Sequence, residues 1–190
     1  MPIKPHPKFE EIEEALRLFC KQGKPFAGVC YRCVESQFVH QVITGEGSRL
    51  YGARWTPKNS FPSVYLCQTA EMALQEYLAR GRRMKLSDHK SLPMMMVSVK
   101  LKVANFLDIT DMEVASVINP ILETEKNHWR VVQDRREAIS QAVGRAIKEM
   151  GFSGIAVPSQ VSSGHKNIVI FPGNLVLTDI LSTPGLKPLP

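Results

Sequence analysis

Residues 94–103 leave the chain the least conformational choice. In this stretch Val97, Val99, Leu101 and Val103 alternate with Ser98, Lys100 and Lys102. A period of two puts the two sets on opposite faces of a pleated strand, so the segment reads as a half-buried strand. The other elements follow from weaker patterns. Phe9, Ile12, Leu16 and Phe19 recur at helical spacing up to Gly23, which predicts an amphipathic helix over 8–22. Residues 27–34 and Ser63 to Cys67 read as strands, separated by a Gly-, Ser-, Pro- and Asn-rich loop over 42–62. Thr69 is placed to cap a helix that runs to Arg80, with Gly81 as its stop. Asp134 and Glu137 have capping-box spacing ahead of a long apolar helix face from Ala138 to Met150, closed by Gly151. Short strands are expected at 153–157, 167–171 and 174–180.

That order does not alternate strand and helix regularly, which disfavours a doubly wound parallel sheet. The expected fold class is α+β: a mixed, mostly antiparallel sheet core with flanking helices. A length of 190 residues suits a single domain over 1–190, ending in a loose Pro-rich tail at 183–190. Neither an apolar signal segment nor a run of transmembrane length is present, so the expected location is the cytoplasm, without membrane contact.

The four cysteines are too sparse for a disulfide framework. Cys30 and Cys33 form a CxxC, yet it lies inside a strand pattern with no second ligand pair in range, so ordinary strand thiols are expected. His6, His40, His89, His128 and His165 show no metal-ligand spacing, and no metal is expected. The net charge of +6 favours anionic partners. Its arginines are scattered, with short clusters at 80–85 and 130–136 and no interleaved aromatics, so direct nucleic-acid binding is not indicated.

Individual residues leave their roles open. Gly45-Glu46-Gly47-Ser48 lacks the spacing of a phosphate loop and reads more readily as a turn. Arg54, beside Trp55 in a Gly-rich stretch, offers either a phosphate-binding fork or a surface charge. Glu76 lies off the apolar stripe of its helix, facing solvent or a cleft. Tyr65 sits mid-strand, where a half-buried Tyr is usually core. Ser159 follows Pro158 after an apolar strand, at a place that suits a ligand contact or a plain turn.

Taken in order, four pieces resemble the RES-domain family, named for Arg, Glu and Ser. They are Tyr31-Arg32; Gly45-x-Gly47-Ser48 running into Gly52-Ala53-Arg54-Trp55; Val64-Tyr65-Leu66 with Ala73-Leu74-x-Glu76; and Val157-Pro158-Ser159 with Asn167 to Phe171. The resemblance covers about 27–172. Ala53 breaks a usual Gly pair, Thr56 stands where Asn is common, and Cys67 where Ser is common. The resemblance implies an ADP-ribosyltransferase-like fold and a toxin of a toxin–antitoxin pair. It implies cleavage of NAD by hydrolysis or phosphorolysis, or ADP-ribosylation of a protein. Its implied partner is a helix-turn-helix antitoxin that covers the active site, with nucleic acid reached only through it. It implies catalytic roles for Glu76, Arg32 and Tyr65, and NAD contacts from Arg32, Arg54, Tyr65, Ser159 and Asn167.

The residue types suit that chemistry. Breaking the nicotinamide–ribose bond builds positive charge on the ribose, which a carboxylate stabilises. Arginines clamp a pyrophosphate, and the departing nicotinamide needs no metal. A basic, non-enzymatic binding module remains the alternative, carried by the charge alone.

Overall fold

The computed structural model describes residues 3–85, 87 and 93–186. Its elements are α1 (Phe9–Leu16), β1 (Lys24–Glu35), α2 (Glu46–Tyr51), β2 (Val64–Cys67), α3 (Ala70–Arg83) and β3 (Met94–Asp108). They continue as α4 (Met112–Glu123), α5 (Trp129–Val132), α6 (Ile139–Glu149), β4 (Gly154–Pro158), β5 (Lys166–Ile170) and β6 (Ile180–Ser182). The sheet order is β1-β2-β5-β4-β3-β6, and β1 also pairs with β3, which closes the sheet into a barrel-like ring. Every pairing is antiparallel except β3 with β4. This is the α+β, mostly antiparallel architecture expected from the element order.

The alternation in β3 does what its period requires. Val97, Val99, Leu101 and Val103 are buried, and they share one side of the sheet with Leu66, Ile168 and Ile170. The opposite side carries Ile155, Val157 and Val169, covered by Ala142, Val143, Ala146 and Ile147 of α6 and by Ile12 and Leu16 of α1. Each fully buried Val, Leu or Ile contributes about 1.5–3 kcal/mol, so these two layers fix α6 on the sheet. Among the described residues no helix is long and apolar enough to cross a membrane.

Several boundaries differ from the sequence reading. The first helix ends at Leu16, and a 3-10 turn over Arg17–Phe19 carries Phe19 into the core. The expected loop over 42–62 contains α2, entered through Gly45 at φ 74° and pinned when the Ser48 hydroxyl donates to the Ser63 carbonyl at 2.8 Å. Thr69 caps α3 as expected, accepting the Met72 N–H at 3.2 Å. Gly81, however, is buried within α3 and does not stop it. The strand at 94–103 runs on to Asp108, because its last residues pair with β4.

The Asp134–Glu137 capping box does not form. Glu137 is drawn into a buried ion pair with Arg145, and Gln141 Oε1 instead accepts the Ala138 N–H at 3.0 Å at the start of α6. The strand expected at 174–180 does not form: Asn174 ends a 3-10 turn from Pro172, residues 175–179 are irregular with a turn at 177–178, and β6 begins only at Ile180. Of the expected tail, Leu186 packs against the sheet, while 187–190 lie outside the described residues.

Candidate active site

The site forms where β2, β5 and β4 lie side by side. Asn167 of β5 pairs with Cys67 on one edge and Val157 on the other. Two residues beyond Cys67 the chain enters α3, so Glu76 stands two turns up a helix that starts at this end of the sheet. The Asn167 Nδ2 donates to Glu76 Oε1 at 2.7 Å, and the Ser159 hydroxyl donates to the same oxygen at 2.9 Å. The Ser159 oxygen accepts the Val161 and Ser162 N–H groups at 3.1 and 3.2 Å, which leaves its own proton to point at Glu76. One carboxylate oxygen is thus held twice, and among the described residues Oε2 makes no hydrogen bond. Glu76 is half-buried. The fold turns it from open solvent onto Ser159 and Asn167.

Arg54 reaches this cluster from the 52–57 loop. Its Nη1 donates to the Pro158 carbonyl at 3.2 Å, one residue before Ser159, and its guanidinium lies 5.1 Å from the Trp55 ring centroid. Burial lowers the Arg54 pKa, opposed by the neighbouring Tyr65 and Glu76. Tyr65 fixes the loop: its hydroxyl oxygen accepts the Trp55 N–H at 3.0 Å and bonds the Thr56 hydroxyl at 3.1 Å. Burial pushes the Tyr65 phenol up, so it stays protonated at neutral pH.

Arg32 stands apart from these five. β1 and β2 share the pair Tyr31↔Cys67, and Arg32 follows where the strands part. It donates to the Val42 carbonyl at 2.7 Å and makes no hydrogen bond to Glu76. Burial first, and Arg80 second, push its pKa down to about 10. It remains a cation at neutral pH. The structure therefore joins Glu76, Ser159 and Asn167 by direct bonds, adds Arg54 through its loop and Tyr65 beneath it, and leaves Arg32 bonded to the Val42 carbonyl, near Tyr65 and Cys67. Among the described residues no group of three His, Cys, Asp or Glu gathers to hold a metal ion.

A model of the RES domain matches residues 29–182. The chain belongs to the RES family. It is 25% identical over 166 residues to the NAD(+) phosphorylase MbcT of Mycobacterium bovis, covering 79% of this chain and 78% of that one. MbcT of Mycobacterium tuberculosis matches equally. A solved M. tuberculosis MbcT-MbcA toxin-antitoxin complex shares the fold, with a TM-score of 0.67 at 21% identity over 94% of this chain and 93% of that chain.

Within this RES domain the family departures have visible work. Cys67 Sγ donates to Asn167 Oδ1 at 3.5 Å. Burial, with Glu76 next, pushes this thiol up to about 12, so it remains a donor and turns the Asn167 NH2 toward Glu76. Thr56 is fully buried and bonds to both Ser63 and Tyr65. Ala53 donates its N–H to the Thr56 carbonyl at 2.9 Å and closes the turn that carries Arg54. Sequence reasoning missed one further support. Gln141 of α6 is fully buried, and its Nε2 donates to the Ala53 carbonyl at 2.9 Å. Its only signal was a polar residue inside an apolar helix face.

The α6 helix also packs tightly on that loop at Gly144, where an added Cβ would lie 2.0 Å from the Trp55 carbonyl oxygen. Backbone cannot yield that far. Gly144→Ala is expected to cost about 1–3 kcal/mol from overpacking and to displace the Arg54 loop. A lowered urea midpoint with an unchanged slope would show it, and a wild-type midpoint would contradict the contact.

Proposed function

We propose that this RES protein cleaves the nicotinamide–ribose bond of NAD and uses orthophosphate as the acceptor. The observation that carries this reading is the Glu76 carboxylate held by Ser159 and Asn167 beside Arg54. The C1′–N bond breaks with its electron pair leaving on nicotinamide, which departs as a neutral base. Positive charge develops on the ribose, and Glu76, fixed by two donors, faces it as a pre-oriented anion. A phosphate oxygen then bonds to C1′, giving ADP-ribose 1″-phosphate. Arg54 supplies a planar fork for the pyrophosphate. Arg32, near Tyr65, is a second cation. Tyr65 holds the Arg54 loop and bounds the nicotinamide end. The name of the mycobacterial relatives supports phosphate rather than water as acceptor.

The biological reading is a cytoplasmic toxin that depletes NAD and is restrained by a helix-turn-helix antitoxin seated over this cleft. Its support is the toxin-antitoxin complex formed by a protein of the same fold.

The test is to incubate the purified protein with NAD labelled in its adenylate half, with and without phosphate, and follow free nicotinamide and the label. Phosphate-accelerated nicotinamide release with label in a phosphorylated ADP-ribose is expected. Label on protein would replace the reading with ADP-ribosyl transfer. An intact NAD pool after incubation with folded, uninhibited protein would remove it.

A further inference from the structure

On the far side of the sheet from Glu76, one mouth of the closed ring opens into a cavity. β1 and β5 begin at this end, and β2, β3 and β4 finish there. Lys24 pairs with Phe106, Asp108 with Ala156, and Ile168 with both Ala156 and Leu66. The mouth holds a cavity of about 330 Å³. Its floor is Phe106, Ala156 and Ile168, all buried in the layer inside the ring. Phe26 forms a wall, stacked on Phe106 with ring centroids 4.8 Å apart, and it is only half-buried. Asn167 sits between Lys166 and Ile168 on β5, and successive strand residues point to opposite faces. Lys166 and Ile168 line the cavity, while Asn167 bonds Glu76 on the other face. None of Arg32, Arg54, Tyr65, Glu76 and Ser159 lines it.

Charge decides what fits over that apolar floor. The rim carries Lys24, Asp108, Asp111, Glu113 and Lys166. Lys166 is already engaged, its Nζ 2.7 Å from Asp108 Oδ2, and Asp108 Oδ1 accepts from Thr110. Among the described residues, Asp111 and Glu113 have no cation within ion-pair distance, and Lys24 has no carboxylate. Asp111 Oδ1 accepts the Glu113 N–H at 3.2 Å, and Glu113 Oε1 accepts the Gln22 amide at 3.5 Å. The second oxygen of each carboxylate makes no hydrogen bond among the described residues. The dipole of α4 accounts for acids at its start, but not for an open aromatic wall beside them. Two unpaired carboxylates against one unpaired lysine leave the rim negative. A hard metal ion needs about six or more oxygen ligands, and no group of three His, Cys, Asp or Glu gathers here among the described residues. The occupant that matches is an organic cation with an apolar body.

We propose that this mouth is a second ligand site, which takes a small aryl-alkyl amine as its ammonium ion. The aryl ring packs on Phe26 and the buried floor, where aromatic pairs gain from offset or edge-on contact. The ammonium donates to the free oxygens of Asp111 and Glu113 as charge-assisted hydrogen bonds. A quaternary ammonium has no N–H to give them, and an anion meets their charge. Ligand pockets span about 300–1,000 Å³ and favour the mouths of barrels. At the small end of that range, this cavity suits one ring on a short chain. Binding here is independent of the NAD-cleaving reading.

The test titrates phenethylamine into the full, nitrogen-15-labelled chain at neutral pH, where an alkyl amine is protonated. Backbone amide NMR follows it without catalysis. Shifts centred on Phe26, Gln68 and Lys166, all on the cavity wall, are expected. Shifts centred on Glu76 and Ser162 would put the amine in the NAD site and overturn the proposal. 2-Phenylethanol, of the same shape without the charge, is expected to bind about tenfold more weakly or worse. Asp111→Asn combined with Glu113→Gln removes both charges, and asparagine caps a helix as well as aspartate does. Both residues are exposed, so the fold is expected to persist, and a thermal melt checks it. The amine constant is expected to weaken about tenfold or more in that double variant. Lys24→Met removes the opposing cation and is expected to tighten binding severalfold. Equal affinity for amine and alcohol would overturn the site, as would an unchanged constant in the double variant. So would wild-type shifts that do not approach saturation by about 10 mM amine. Because no NAD is present, failure here leaves the NAD-cleaving reading untouched, and failure of that reading leaves this site standing.

Discussion

Glu76→Gln is expected to abolish nicotinamide release while the protein stays folded. The glutamine keeps a carbonyl oxygen that accepts the Ser159 hydroxyl and the Asn167 amide, now at 2.9 and 2.7 Å. Size and hydrogen bonding are preserved, and only the charge is lost. Removing one electrostatic stabiliser of a charged transition state costs about 10²–10³-fold in rate, and a full carboxylate facing an oxocarbenium-like ribose belongs at the upper end. Nicotinamide release in single-turnover conditions measures it, and a far-UV spectrum with an unchanged melting temperature separates lost chemistry from lost structure. Glu76→Gln cleaving NAD within threefold of wild type would sink the role given to Glu76 and require another anion at the ribose. Because Glu76 is half-buried and off the apolar layer, the substitution is expected to change stability by less than about 1 kcal/mol.

The largest stability loss is expected from Arg145→Met. Glu137 is 1% exposed, and its carboxylate takes both the Nε and Nη2 of Arg145, at 2.7 and 2.8 Å. The same carboxylate accepts the His6 N–H at 3.0 Å, while the Arg145 guanidinium lies 3.3 Å from the Phe9 ring centroid. One ion pair thereby ties the segment from His6 to Phe9 to α6, which in turn braces the Arg54 loop through Gln141 and Gly144. Methionine restores apolar volume but strands a buried anion. Breaking one side of a buried pair costs about 3–5 kcal/mol, which for a chain of this size lowers Tm by about 10 °C. Adding Glu137→Gln to Arg145→Met removes the stranded charge and is expected to recover part of that loss. A double variant no more stable than Arg145→Met alone would mean that packing on Phe9, and not charge, dominates at this position.

Much of this architecture was legible because it is written in periodicities. The period of two at 94–103 makes a strand with one face buried whatever surrounds it. Thr69 caps α3 because an N-cap needs only its own helix to make its bond. The misread segments are those whose partners lie far away in sequence. Glu137 had capping-box spacing to Asp134, yet its carboxylate bonds to an arginine eight residues on and to the backbone of His6, 131 residues back. Gly81 looked like a stop, but it is buried in α3, and so the helix runs one turn further. The 42–62 segment has loop composition, and α2 forms within it because Ser48 is tied to Ser63 across fifteen residues.

The candidate site divides along the same line. The sequence by itself determined which residue types were present, in family order: Arg32, Arg54, Tyr65, Glu76, Ser159 and Asn167. It also determined that Glu76 would leave the apolar stripe of its helix, because a period of 3.6 sets that angle without reference to anything else. Whether Glu76 met water or two donors was decided only in three dimensions. Ser159 and Asn167 lie 83 and 91 residues further along the chain, and the pairing of β5 with β2 and β4 brings them to it. Cys67, Thr56 and Gln141 acquired their supporting roles in the same way. Local periodicity fixes direction, whereas a hydrogen bond needs two groups within about 3 Å, and only the closed sheet brings these groups that close.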